Sequence, residues 1–183
     1  MQRRTFLLDA TAIASCMVTQ VEAGNLSTAD KHFVVKAGDA RFGVHPPYRG
    51  VNANDVKISG KDTNGQLAVF EYIGKEMIGP ALHVHHDQDE IFSIIDGEYL
   101  FQVGNEKFTV KAGDTVFAPR GIPHTWIQLS AQGIQVYMVQ PAGQLEDFFL
   151  ALNELKEAPT EESIKRMHES YGMSVLGPPL SLR

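Results

Sequence analysis

The stretch Glu90-Ile91-Phe92-Ser93-Ile94-Ile95-Asp96-Gly97-Glu98-Tyr99-Leu100-Phe101-Gln102-Val103 decides the fold. Apolar and polar positions alternate on either side of Asp96-Gly97, which is the period of a half-buried strand rather than of a helix. Asp-Gly supplies the positive φ that a tight reversal needs, so Glu90–Ile95 and Glu98–Val103 are predicted to form a hairpin. Downstream, Gly104-Asn105 predicts a second hairpin into Lys107–Val110. Ala112-Gly113-Asp114 then turns into Thr115–Ala118, and Thr125–Leu129 and Ile134–Gln140 follow. Upstream, Ala81–His86 and Gln66–Ile73 are extended, and residues 41–65 read as an irregular segment with one strand near Val56–Ile58. The series begins at His32–Lys36, before the Ala37-Gly38-Asp39 turn. Many short, evenly spaced strands predict an all-β sandwich or barrel.

After Pro141 the period lengthens to that of a helix. Leu145, Phe148, Phe149, Leu152 and Leu155 fall on one helical face. A second helix is predicted from a Thr160 cap, with Glu161 and Glu162 in its first turn, Ile164, Met167 and Tyr171 on its inner face, and Gly172 as its stop. These apolar stripes are expected to cover the barrel or to make a contact between two copies, and a homodimer is the expected assembly.

The 183 residues suit one domain with a short extra segment, and 43% hydrophobic with 21% charged residues is globular composition. A net charge of −6, with 16 scattered Lys and Arg, gives no electrostatic footprint for nucleic acid. No stretch is long and apolar enough to span a bilayer. The single cysteine, Cys16, rules out an internal disulfide and a Cys-based zinc cluster, so any bound metal must be held by His and carboxylate.

The N-terminus reads differently. Arg3-Arg4-Thr5-Phe6-Leu7-Leu8, a weakly apolar stretch through Ile13, Met17 and Val18, and a small-residue boundary at Val21-Glu22-Ala23 resemble a twin-arginine export signal over residues 1–23. That predicts delivery to the periplasm. The alternatives are an amphipathic arm packed on the barrel or on a second subunit, with the protein then cytoplasmic, and lipidation of Cys16 in Ile13-Ala14-Ser15-Cys16.

The densest polar chemistry is His83-Val84-His85-His86-Asp87-Gln88-Asp89-Glu90. On a strand, His83 and His85 share one side and His86 takes the other. Two imidazoles on the inner face of a small barrel are costly unless they are hydrogen-bonded or hold an ion. A short polar loop can return Glu90 beside them, which gives the His-His-carboxylate set favoured by non-haem iron and related ions. The turn-rich run Gly113 to Pro123 delivers His124 from a separate strand. His83, His85, Glu90 and His124 are therefore the predicted ligands of one divalent transition-metal ion: Fe, Mn, Ni, Cu or Zn. His32, His45, His86 and His168 are read as surface residues. Tyr48, Phe101 and Trp126 are read as core packing.

The pattern His83-x-His85-x4-Glu90-x6-Gly97 resembles the first cupin motif, and Gly113-x5-Pro119-x-Gly121-x2-His124 resembles the second. Met77 stands where the first motif usually opens on glycine, and Gln128 where the second often ends in asparagine. The helical tail is similar to that of single-domain cupins resembling quercetin dioxygenases. The resemblance implies a double-stranded β-helix (jelly-roll) barrel over residues 30–142 with a C-terminal helical appendage over 143–183. It also implies a metal-dependent oxidoreductase, foremost a dioxygenase acting on a small enol or flavonol-like substrate. Glu90 is the expected catalytic residue, as ligand and general base. A non-catalytic cupin that binds a small molecule through the metal, and a cupin isomerase or lyase, fit the same residues.

Overall fold

The computed structural model describes residues 32–48 and 52–182. The export signal, the arm and Cys16 lie outside the described residues. In chain order the elements are β1 (Pro47–Tyr48), β2 (Asn52–Ile58), β3 (Ala68–Gly74), β4 (Ala81–His85), β5 (Asp89–Asp96), β6 (Glu98–Val103), β7 (Glu106–Lys111), β8 (Thr115–Ala118), β9 (His124–Gln128), β10 (Gly133–Gln140), α1 (Leu145–Asn153), α2 (Glu161–Ser170) and β11 (Met173–Pro179). They form two antiparallel sheets, ordered β1-β2-β3-β10-β5-β8 and β11-β4-β9-β6-β7. Their inner faces meet in one core that includes Phe70, Tyr72, Phe92, Tyr99, Phe101, Trp126 and Tyr137. This is the double-stranded β-helix architecture that the motif resemblance implies, where the alternating pattern alone predicts a sandwich or barrel.

The hairpin expected at Asp96-Gly97 does not form. β5 pairs with β10 and β8, whereas β6 pairs with β7 and β9, so Asp96-Gly97 is a corner between the two sheets. The alternation is as read: Phe92 and Ile94 of β5, and Tyr99 and Phe101 of β6, are all buried. They face one another across the core rather than lying side by side. Gly97 has φ +84°, and a Cβ there would press on the Gln132 carbonyl at 2.7 Å. The corner is fixed by Glu98 N–H donating to Ser130 Oγ at 3.0 Å. The second predicted hairpin does form, with Val103 opposite Glu106.

Three further segments depart from the reading. Residues 32–36 make no strand, and Val34 is 84% exposed. β2 begins earlier than its apolar residues suggest, because buried amides find partners there. Asn52 Nδ2 donates to Tyr72 Oη, its Oδ1 accepts from Lys75 N–H, and Asn54 Oδ1 accepts from Tyr137 Oη. The tail is also more than helical: β11 extends the smaller sheet by pairing with β4, Val175 opposite His83 and Met173 opposite His85. Its Gly177-Pro178-Pro179 end hides it from propensity, since prolines are tolerated only at sheet edges. Thr160 caps α2 by accepting from Ser163 N–H at 3.2 Å, and Gly172 follows the helix with φ +78°. Leu145 and Phe148 of α1 are core residues, and Met167 of α2 packs against the same core, so both helices cover the barrel.

Candidate metal centre

Four side chains from three strands converge inside one end of the barrel. β4 supplies His83 and His85 and β5 supplies Glu90. β9 supplies His124, which lies directly opposite His83 in the ladder. All four are buried, with His85 and His124 at 1% exposure, while His86 turns outward to Ser174 Oγ at 3.0 Å. The approach of β9 to β4 requires Gly79, because a Cβ there would overlap the Trp126 carbonyl. The Gly121 N–H donates to the His85 carbonyl at 2.8 Å, which ties the turn before His124 to the end of β4. Arg120 Nη2 pairs with Asp89 Oδ2 at 2.9 Å, anchoring the same turn to the start of β5. Each local signal in the two motifs thus brings the four residues to one point.

Imidazole centroids lie 5.1 Å (His83–His85), 4.6 Å (His83–His124) and 5.5 Å (His85–His124) apart. One nitrogen or carboxylate oxygen from each of the four residues lies within 4.8 Å of all the others. The other ring nitrogens are already committed. His83 Nδ1 lies 2.9 Å from the Ala81 carbonyl and His124 Nδ1 3.0 Å from the Ile122 carbonyl. A carbonyl only accepts, so both Nδ1 atoms carry the proton. His85 Nδ1 lies 3.0 Å from Gln88 Oε1, and Gln88 Nε2 donates to the Ala142 carbonyl at 2.6 Å. That second bond fixes the amide, so His85 Nδ1 is again the donor. In the neutral rings, all three Nε2 atoms are therefore lone pairs.

Glu90 Oε2 sits 2.9 Å from His124 Nε2 and 3.4 Å from His85 Nε2. Lone pairs facing a carboxylate in a buried site repel one another unless a cation lies between them. Without an ion the cation must be a proton. Burial opposes charge on His124, but the hydrogen bond and charge of Glu90 outweigh it and raise its pKa. Burial first, then His124 and His85, push His83 well down. Burial also lowers His85 against the pull of Glu90. Three imidazole lone pairs and one carboxylate are a donor set that could hold a divalent transition metal. Their committed Nδ1 protons are the supports that metal-binding histidines require.

Two residues at this site escape the motif reading. Gln88 orients His85, and its place three residues after His85 in a polar loop was the available signal. His168 is not a surface residue: it is half-buried, with its ring 6.3 Å from His83 and 4.6 Å from Phe148. Its spacing of four from Ile164 already placed it on the inner face of α2. Met77 and Gln128 lie away from the histidines. Met77 is 48% exposed, and Gln128 pairs with Tyr99 at the far end of β9 while donating to the Ser130 carbonyl at 2.8 Å.

The Cupin domain family model matches residues 68–140, which contain all four converging residues. An uncharacterized protein from Methanocaldococcus jannaschii is 46% identical over 43 residues, 24% of this chain. The match spans 34% of that relative's length. Among solved structures, KdgF from Halomonas sp. superposes with a TM-score of 0.52 at 14% identity, over 61% of this chain and 94% of that one. An RmlC-like cupin from Shewanella frigidimarina gives a TM-score of 0.52 at 18% identity, over 64% and 96% of the two chains. At these identities the likeness is one of fold.

Proposed function

With the chain a member of the cupin superfamily, we propose that His83, His85, Glu90 and His124 hold one divalent transition-metal ion and that the protein is a metal-dependent oxidoreductase, a dioxygenase acting on a small enolic substrate. The observation that carries this reading is the direction of the three Nδ1–H bonds, which leaves every Nε2 a lone pair, two of them against the Glu90 carboxylate. Such preorganisation costs stability unless an ion uses it. When bound, the ion supplies an open coordination position for a substrate oxygen, Lewis acidity and, in redox-active forms, electron exchange with dioxygen.

The rest of the chemistry belongs to the chain. Glu90 Oε2 accepts the proton of the substrate hydroxyl, a role closed to histidines whose Nδ1 protons are engaged and whose Nε2 atoms face the ion. Phe92, 6.4 Å from the His124 ring, and Phe148, packed on His168, are buried core residues that give the site an apolar surround. Metal analysis of protein purified without added metal, followed by oxygen-uptake screening with flavonols and other enols, tests the reading. It expects about one transition-metal ion per chain and oxygen uptake with at least one enol. Tight enol binding without oxygen uptake or product would replace it with a non-catalytic binding role.

A further inference from the structure

His168 belongs to neither cupin motif, yet α2 sets it against the candidate metal centre. Its Nδ1 lies 2.7 Å from the Ile164 carbonyl, one turn back in the same helix. The carbonyl can only accept, so Nδ1 carries the hydrogen and Nε2 is the acceptor nitrogen of the neutral ring. No residue among those described is hydrogen-bonded to that Nε2. Phe148 packs against the ring at 62°, and the His83 ring meets it with an interplanar angle of 64°. Helix hydrogen bond and aromatic wall together set the orientation of the ring. At 6.3 Å from the His83 centroid, His168 stands outside the group of four whose donor atoms lie within 4.8 Å of one another. The result is a preoriented acceptor beside the ligand set but not in it.

We infer that His168 is a specificity-determining residue: its Nε2 accepts a hydrogen bond from a hydroxyl on the substrate carbon next to the metal-binding oxygen. The inference rests on the proposed metal centre. It selects α-hydroxy acids, enediols and hydroxyenones over analogues whose hydroxyl is methylated or missing. A site built to pair with a substrate O–H discriminates against the analogue without it, because an acceptor that the bound ligand shields from water is left unpaired. His168 is a positioning residue and takes no part in proton transfer in this account. The bland role for the same side chain is to end its own helix and pack on Phe148, and the two roles respond differently to a matched pair of probes.

The experiment loads the full chain with Co(II) and follows its visible bands on titration with glycolate and with methoxyacetate. Both probes bring a carboxylate and a neighbouring oxygen, but only glycolate has a hydrogen to donate. His168→Phe, which keeps a ring of similar bulk, is expected to weaken glycolate roughly five- to tenfold while methoxyacetate stays within about twofold, the size of one neutral hydrogen bond. His168→Gln, whose amide oxygen can still accept, is expected to recover part of the preference for glycolate. Equal weakening of both probes by His168→Phe, or no change in either, overturns the inference and leaves the metal reading intact. Wild-type protein that shows no cobalt bands overturns both.

Discussion

Gln88 Oε1 accepts a hydrogen bond from His85 Nδ1–H at 3.0 Å, while the same amide donates to the Ala142 carbonyl at 2.6 Å. One glutamine thus links the β4 end of the site to the segment that leads into α1. Gln88→Leu removes the acceptor and frees His85 to place its proton on Nε2. A roughly 10- to 100-fold loss of metal affinity is expected, measured by chelator competition, with the fold kept by circular dichroism. Gln88→Glu retains an acceptor and should lose much less. Equal loss in both variants would mean that the contact only packs.

Strand alternation gives a sharper test. His85→Ala and His124→Ala are each expected to strip most of the metal from purified protein, and His86→Ala to leave metal content within error. The three residues are close in sequence or space, but His86 faces outward to Ser174. Comparable loss in all three, by elemental analysis, would refute the shared inner face.

Glu90 is expected to be more than a ligand. Compared at equal metal occupancy, Glu90→Gln should bind substrate with nearly unchanged affinity and turn it over about a hundredfold to ten-thousandfold more slowly. A fall in activity that merely tracks metal loss would assign Glu90 a structural role.

The site also predicts a pH dependence. Glu90 raises the pKa of His124 despite burial, so below that raised value an entering ion must displace a proton. Apparent metal affinity should rise about tenfold per pH unit and level off above the raised pKa. Glu90→Gln removes the cause of the shift and should move the plateau to lower pH. In the metal-free protein, the stabilisation from protonated His124 is fully present below its unfolded value of about 6.5 and is lost as pH rises through the raised one. His83 and His85, with lowered values, act in the opposite sense: their neutral burial costs stability as pH falls below about 6.5. Metal affinity flat from about pH 5.5 to 7.5 would contradict this account.

What the sequence discloses here follows from the range of each interaction. Alternation is local, so the inward positions Phe92, Ile94, Tyr99 and Phe101 could be read directly. So could His83 and His85, two apart on a strand. Which sheet a strand joins is not local. Asp96-Gly97 has a hairpin's composition, but Ser130 and Gln132, more than thirty residues later, make it a corner. Likewise β11 exists because β4 offers an open edge, not because Met173–Pro179 favours a strand. The convergence of the four site residues was legible because spacing and turn chemistry carry it. Gln88 and His168 carry only weak local signals, a place in a polar loop and a helical spacing. What sets their roles is tertiary: the Ala142 carbonyl that fixes the Gln88 amide, and the His83 and Phe148 rings against His168.

The pairing of β11 with β4 also bears on how the site comes into being. β4 carries two of the four converging histidine and glutamate side chains, yet it meets β9 at one register position, His83 opposite His124. Its more extensive ladder is with a strand that leaves the ribosome long after it. During synthesis, then, the histidine strand emerges before both of its neighbours, and its longer edge stays bare until β11 is made. An ion captured in that interval would meet the four donor groups before their scaffold is closed. If the four residues hold an ion as proposed, the order in which the chain is made would let cellular metal supply act before the completed site could select among ions.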